Sequence, residues 1–206
     1  MRRCDRCWPM LKRLFDIVCA ALGLLVLSPL LLAIFLWVKL DSPGPVFFRQ
    51  ERVGRFGNLF RIHKFRTMKL HAESAGRLTI GEDSRITRSG RFLRRTKIDE
   101  LPQLIDVLLG DMSLVGPRPE VPEFMNCYEE SVRRKVLSVR PGITDRASIE
   151  MVDESLILGQ YPDPRQAYID VILPIKQKYY LEYVEQHGVV TDIKIIFATL
   201  AKIVSR

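Results

Sequence analysis

Cysteine is scarce in this sequence: Cys4, Cys7, Cys19 and Cys127 are its whole supply among 206 residues. That gives no disulfide framework and fits a reducing, cytosolic setting. Cys4 and Cys7 form one Cys-x-x-Cys, but no second Cys/His pair follows at finger spacing, so a closed zinc site lacks half its ligands. Internal repeats and low-complexity tracts are absent too, which excludes a solenoid. Acidic residues are scarce in one region. From Arg49 to Lys97 there are four Asp/Glu against fourteen Lys/Arg, a local excess of ten. The net charge is +8, so the rest of the chain carries −2. A basic block of this kind calls for an anionic partner: phosphate esters, an anionic membrane surface or nucleic acid.

Long apolar runs, by contrast, are present. Leu14 to Val38 is 25 residues with one charge, Asp16. As a helix it is long enough to cross a bilayer core. A signal peptide would have a shorter apolar region and a small-x-small cleavage site, and a buried core helix is rarely so uniformly apolar. Two features bear on how it meets a membrane. Proline at Ser28-Pro29 removes a backbone donor and predicts a break. Arg2, Arg3, Arg6, Lys12 and Arg13 precede the run, while Lys39, Arg49, Arg52 and Arg55 follow it. The positive-inside rule wants both flanks on the cytoplasmic side. A re-entrant helix that bends at Ser28-Pro29 meets both demands; a plain transmembrane anchor is the alternative. The expected division is a membrane segment over 1–40 and a cytosolic domain over 41–206.

The expected fold class is α+β, a mainly helical domain with a small β-hairpin. "VFFRQERV" and "NLFRIHKF", separated by "GRFG", predict the hairpin. Residues 71–89 read as helix and loop. Leu101, Leu104, Ile105, Leu108 and Leu109 predict a helix over 98–109 that Gly110 closes. A later helix is interrupted or begins near Pro174. In the last segment Ile193, Ile196, Phe197, Leu200 and Val204 share a face suited to the core, to a membrane interface or to a homodimer.

Asp99 and Glu100 stand side by side in "KIDELPQL". They suit a helix start, since Thr96-x-x-Asp99 resembles a capping box. Their surroundings offer another reading. "KFRTM" supplies Lys64 and Arg66, Arg94 lies five residues before Asp99, and prolines flank Arg118 in "VGPRPE". Arg140 in "VRPGIT" precedes a proline in the same manner. Rigidly held cations neutralise a diphosphate and let an anionic nucleophile approach it.

Taken together, the Ser-Pro pair, "KFRTM", "DELPQLIDVLLGDMSLVGPRP" and "RPGIT" resemble the bacterial sugar transferase family, the monotopic phosphoglycosyl transferases. The resemblance implies transfer of sugar 1-phosphate from a UDP-sugar to polyprenyl (undecaprenyl) phosphate, with release of UMP, as the first membrane step of glycan assembly. It implies that Asp99 forms a covalent phospho-sugar intermediate and that Glu100 assists, around Mg²⁺ at Asp99 or in positioning. It further implies that Lys64, Arg94 and Arg118 bind phosphate, and that Ser28-Pro29 is the family's helix break. The expected location is the cytoplasmic face of the bacterial inner membrane, with membrane lipid as a partner and no nucleic acid. The chain departs from many members after "RPGIT", where it reads "DRASIEMVDE" with Val152-Asp153 in place of a Gly-Arg. A binding protein for anionic lipid or nucleic acid, and a transferase that releases UDP, are the competing functions.

Overall fold

The computed structural model describes residues 7–70, 83–151 and 154–205. The expectations placed on Cys4, Arg2, Arg3 and Arg6, on residues 71–82 and on Val152-Asp153 lie outside them.

The apolar run folds as a single helix, α1 (Cys7–Asp41), with Pro29 inside it. Helical structure continues through Ser28-Pro29, where the bend is expected, and the local chemistry explains how. Pro29 cannot donate to the carbonyl of Leu25, four residues back. Ser28 Oγ donates to that carbonyl instead, at 2.8 Å, so the proline leaves no orphan acceptor. One face of α1 is buried through Asp16, Ala20, Ile34 and Val38, at helical spacing. The other exposes Leu22, Leu25, Val26, Leu32 and Leu40. The helix is long and apolar enough to cross a membrane.

The hairpin forms as expected. Strands β1 (Phe47–Phe48), β2 (Glu51–Val53), β3 (Leu59–Arg61) and β4 (Lys64–Phe65) pair antiparallel, β1 with β4 and β2 with β3. The two pairs share one register, from Phe47 opposite Phe65 to Val53 opposite Leu59. Ile62 N donates to Gln50 O at 3.1 Å across the gap, so the four short strands make one long ribbon. Its turn spans Gly54 to Asn58, with Gly57 at φ 83 and Phe56 at φ 58.

Helix α2 (Arg88–Thr96) begins at Thr87, whose hydroxyl accepts from Gly90 N, and ends at Lys97 in the left-handed region. A 3-10 turn, Ile98–Glu100, precedes α3 (Gln103–Leu109), which Gly110 closes at φ 97. Strands β5 (Ser113–Val115) and β6 (Gly142–Thr144) are parallel, and α4 (Pro122–Met125) and α5 (Glu130–Val136) provide the crossover. Then follow α6 (Arg146–Glu150), α7 (Glu154–Leu158), α8 (Pro164–Ala167), α9 (Leu173–Gln186) and α10 (Val189–Val204). A π turn, Tyr168–Ile172, joins α8 to α9 and leaves Pro174 in the first turn of α9, where its missing donor costs little. The interruption expected near Pro174 is therefore present.

Both ends of α1 are fastened to this body. At the first, Arg13 donates to the carbonyls of Val107 (2.6 Å) and Leu108 (3.1 Å), where α3 ends and a cation is favoured. Lys12 Nζ lies 2.5 Å from Asp192 Oδ2 of α10 and 2.7 Å from Ser113 Oγ of β5. Tyr183 OH donates to the other oxygen of Asp192 at 2.9 Å. At the far end, Asp41 Oδ2 accepts from Ser89 N (3.0 Å) and Ser89 Oγ (2.8 Å). Arg66 donates to the carbonyls of Ser42 (2.7 Å) and Pro43.

Candidate active site

The 3-10 turn is what aims the paired acids. The expected capping box does not form, because α2 runs through Thr96 and the Thr96 hydroxyl donates back to Phe92 O and Leu93 O. Lys97 then turns the chain at φ 59, so Asp99 and Glu100 fall on a tight turn rather than on a helix. Both are buried, and both reach one cation. Lys64 Nζ, on β4, is 2.8 Å from Asp99 Oδ2 and 3.1 Å from Glu100 Oε1.

Glu100 is fully engaged. Arg118 meets it with two nitrogens, Nη1 donating to Oε2 at 3.1 Å and Nη2 donating to Oε1. Burial alone would push the Glu100 carboxyl up, but Arg118 and Lys64 outweigh it and hold the group well below the usual carboxylate range. Glu100 in turn holds the Arg118 guanidinium well above its ordinary value. Asp99 differs. Its Oδ1 is buried and has no hydrogen-bond partner among the described residues. A carboxylate oxygen left in that state is available to a further partner.

These groups line a cavity of about 1120 Å³. Of the sequence-predicted residues, Lys64, Arg94, Asp99, Glu100 and Arg118 come together on its wall. Arg94 is placed by Nε donating to Thr67 Oγ1 at 2.9 Å. Two expected phosphate ligands stand differently. Arg66 borders the cavity, but its terminal nitrogens are directed at carbonyls after α1. Arg140 is not on the wall, and its Nε donates to Gly110 O at 2.8 Å.

Sequence reasoning missed several lining residues. Arg52 enters the wall from the hairpin, with Nη1 donating to Pro119 O at 2.9 Å and Nη2 to Gln50 Oε1 at 2.5 Å. Hairpin alternation was the signal that could have found it. Glu120, Glu154, Tyr168 and Lys176 also line the cavity and come from four separate segments, with no shared motif to mark them.

The chain matches the family model described as "Bacterial sugar transferase" over residues 7–206. It belongs to that family. Over 198 residues, covering 94% of this chain and 40% of the relative, it is 40% identical to UDP-glucose:undecaprenyl-phosphate glucose-1-phosphate transferase of Escherichia coli K12. It is 37% identical to UDP-N-acetylgalactosamine-undecaprenyl-phosphate N-acetylgalactosaminephosphotransferase of Aeromonas hydrophila, covering 95% of this chain and 44% of that protein. The exopolysaccharide production protein PSS of Rhizobium leguminosarum bv. phaseoli is 40% identical over 203 residues, 95% of this chain and 96% of the relative. The chain thus spans about two fifths of the length of the first two relatives and nearly all of the third. Two relatives of similar identity carry names with different sugars.

Proposed function

We propose that this member of the family transfers sugar 1-phosphate from a UDP-sugar to polyprenyl phosphate, with Asp99 as the nucleophile. The observation that carries this reading is the buried Oδ1 of Asp99, without a hydrogen-bond partner among the described residues, beside an Oδ2 fixed by Lys64. One oxygen orients the carboxylate while the other is free to attack. Oδ1 forms a bond to the phosphorus that bears the sugar, and the bond from that phosphorus to the bridging oxygen breaks. UMP leaves with the electron pair, and the sugar phosphate remains on Asp99 as an acyl phosphate. An oxygen of polyprenyl phosphate then attacks the same phosphorus, which returns the carboxylate and gives the diphosphate-linked sugar.

Lys64 and Arg118 supply positive charge at the wall where charge develops, and Arg94 extends it. Glu100, with both oxygens committed, positions Lys64 and Arg118 rather than moving a proton. Among the described residues no three His, Cys, Asp or Glu side chains cluster as a dedicated metal cage. Mg²⁺ commonly needs only one or two carboxylates, with water and substrate phosphates completing its shell. The Asp99 carboxylate, with only one of its oxygens engaged by Lys64, fits that demand and would be the residue to hold the ion. When bound, Mg²⁺ would neutralise phosphate charge and polarise the phosphoryl oxygens.

The membrane placement belongs to the same proposal. Both ends of α1 are fastened to one body, which supports a re-entrant helix dipping into the leaflet on the cytoplasmic side, with residues 41–206 outside the lipid. Full-length protein in lipid nanodiscs, given Mg²⁺, a UDP-sugar and polyprenyl phosphate, should release UMP. Quenching before the acceptor is added should leave a sugar phosphate on the peptide containing Asp99, detected by mass spectrometry. Release of UDP instead of UMP, or an unmodified Asp99 during turnover, would overturn the reading.

A further inference from the structure

The cavity carries a second polar cluster that the phosphoryl chemistry does not use. Lys176 of α9 is 6% exposed, and its Nζ lies 2.7 Å from Glu154 Oε2 of α7. The same nitrogen donates to the Tyr168 hydroxyl at 3.2 Å and sits 4.8 Å from that ring's centroid. Tyr168 donates onward to Glu120 Oε1 at 2.9 Å, and Glu120 is itself buried. Burial and the nearby Glu120 and Glu154 push the Tyr168 phenol up, so it stays a neutral donor.

An ion pair that takes a lysine out of water adds little net stability compared with apolar packing, so its presence in a cavity wall asks for another reason. The cluster presents ammonium donors and carboxylate acceptors fixed by their neighbours. Phosphates would be repelled by Glu120 and Glu154, and a prenyl chain would strip water from these charged groups without offering any of them a hydrogen bond. Sugar hydroxyls, which both donate and accept, match them. Discrimination between sugars that differ in one hydroxyl is strongest where a wall group loses its partner with the wrong donor. The cavity, at about 1120 Å³, has room for a whole nucleotide sugar beside the acids.

We propose that Glu154 and Lys176 contact the sugar hydroxyls of the donor and set which sugar is accepted, with Tyr168 and Glu120 as positioning residues. This rests on the transferase reading above. Full-length protein in nanodiscs would be compared with Glu154→Gln and Lys176→Met, using UDP-glucose and UDP-galactose, which differ only at one hydroxyl. Equilibrium binding of both donors, measured in an Asp99→Asn background, gives a readout that needs no chemistry. The expected result is a change of about tenfold or more in the ratio between the two donors, with UMP binding held within about twofold. An unchanged ratio would overturn the proposal. So would weakening of UMP and both donors in step, which would place the nucleoside there instead. Tyr168→Phe keeps the ring and removes only the hydroxyl, so it tests the cluster even where the charge variants fold poorly. It should shift the ratio in the same direction by a smaller factor. Wild-type release of UDP would sink the phosphoglycosyl reaction while leaving the donor ratio measurable.

Discussion

Arg118 faces Glu100 with two nitrogens on two oxygens, and Lys64 ties the same carboxylate to Asp99. A lysine at 118 would keep the charge but lose the paired donors. Arg118→Lys should lower kcat/KM for the donor by about 10²-fold, the scale of losing one oriented donor at a reacting centre. Because Arg118 is partly exposed, the loss in stability should be small, and thermal melting of the variant beside steady-state kinetics separates the two.

Lys12 sits between Asp192 and Ser113 where three segments far apart in sequence meet. Removing its ammonium leaves Asp192 buried without its cation. Burial already pushes that carboxyl up, with Lys12 pulling it down. Lys12→Met should cost about 3 kcal/mol. For a chain of this size that is a fall of roughly 6–12 °C in Tm, read by thermal unfolding in detergent.

A Cβ on Gly142 would stand 2.1 Å from Gly116 N, and one on Gly116 would stand 2.5 Å from Arg140 O. The strands β5 and β6 approach so closely there that neither position admits a side chain. Gly142 N also donates to Pro117 O at 2.9 Å, next to Arg118. Gly142→Ala should cost roughly 2–3 kcal/mol and also reduce turnover, because the displaced strand carries Pro117 with it. Unfolding in urea and a donor-turnover assay check the two halves.

Asp145 caps α6 by accepting from Ser148 N and Oγ, at 2.9 and 2.5 Å, yet burial pushes its carboxyl up. An acid whose folded value is raised favours folding while protonated. That contribution is present below the unfolded value, near 4, and is lost as pH rises through the folded value. Asp145→Asn keeps the cap and removes the buried charge. Its Tm should exceed the wild-type value at pH 7, and the gain should vanish near pH 4.

What was legible in the sequence was what local pattern encodes. The hairpin followed from two strand-like segments either side of "GRFG", and the end of α3 from Gly110. Lys64, Asp99, Glu100, Arg94 and Arg118 all reached one cavity, since their motifs lie on adjoining elements. Arg140 shows the limit of that reasoning. A flanking proline fixes a side chain's origin but not its target, and here the guanidinium turns to Gly110. At Pro29 a sequence shows the missing donor more readily than the neighbouring serine hydroxyl that takes its place at Leu25 O. The network of Lys12, Asp192 and Tyr183 and the cluster of Glu120, Tyr168, Glu154 and Lys176 join residues tens of positions apart. No spacing rule reports such meetings; only the packing of α1, α7, α9 and α10 does.

Because α1 is fastened at both ends, it behaves as a handle bolted twice rather than a tether. Under the proposed placement, the distance between Asp99 and the lipid is then a constant of the fold, like the height of a stage above a floor. The enzyme would have no stroke with which to reach for its acceptor. The prenyl phosphate would have to rise to a fixed level, and changes in bilayer thickness should act on turnover through the lipid rather than through the protein.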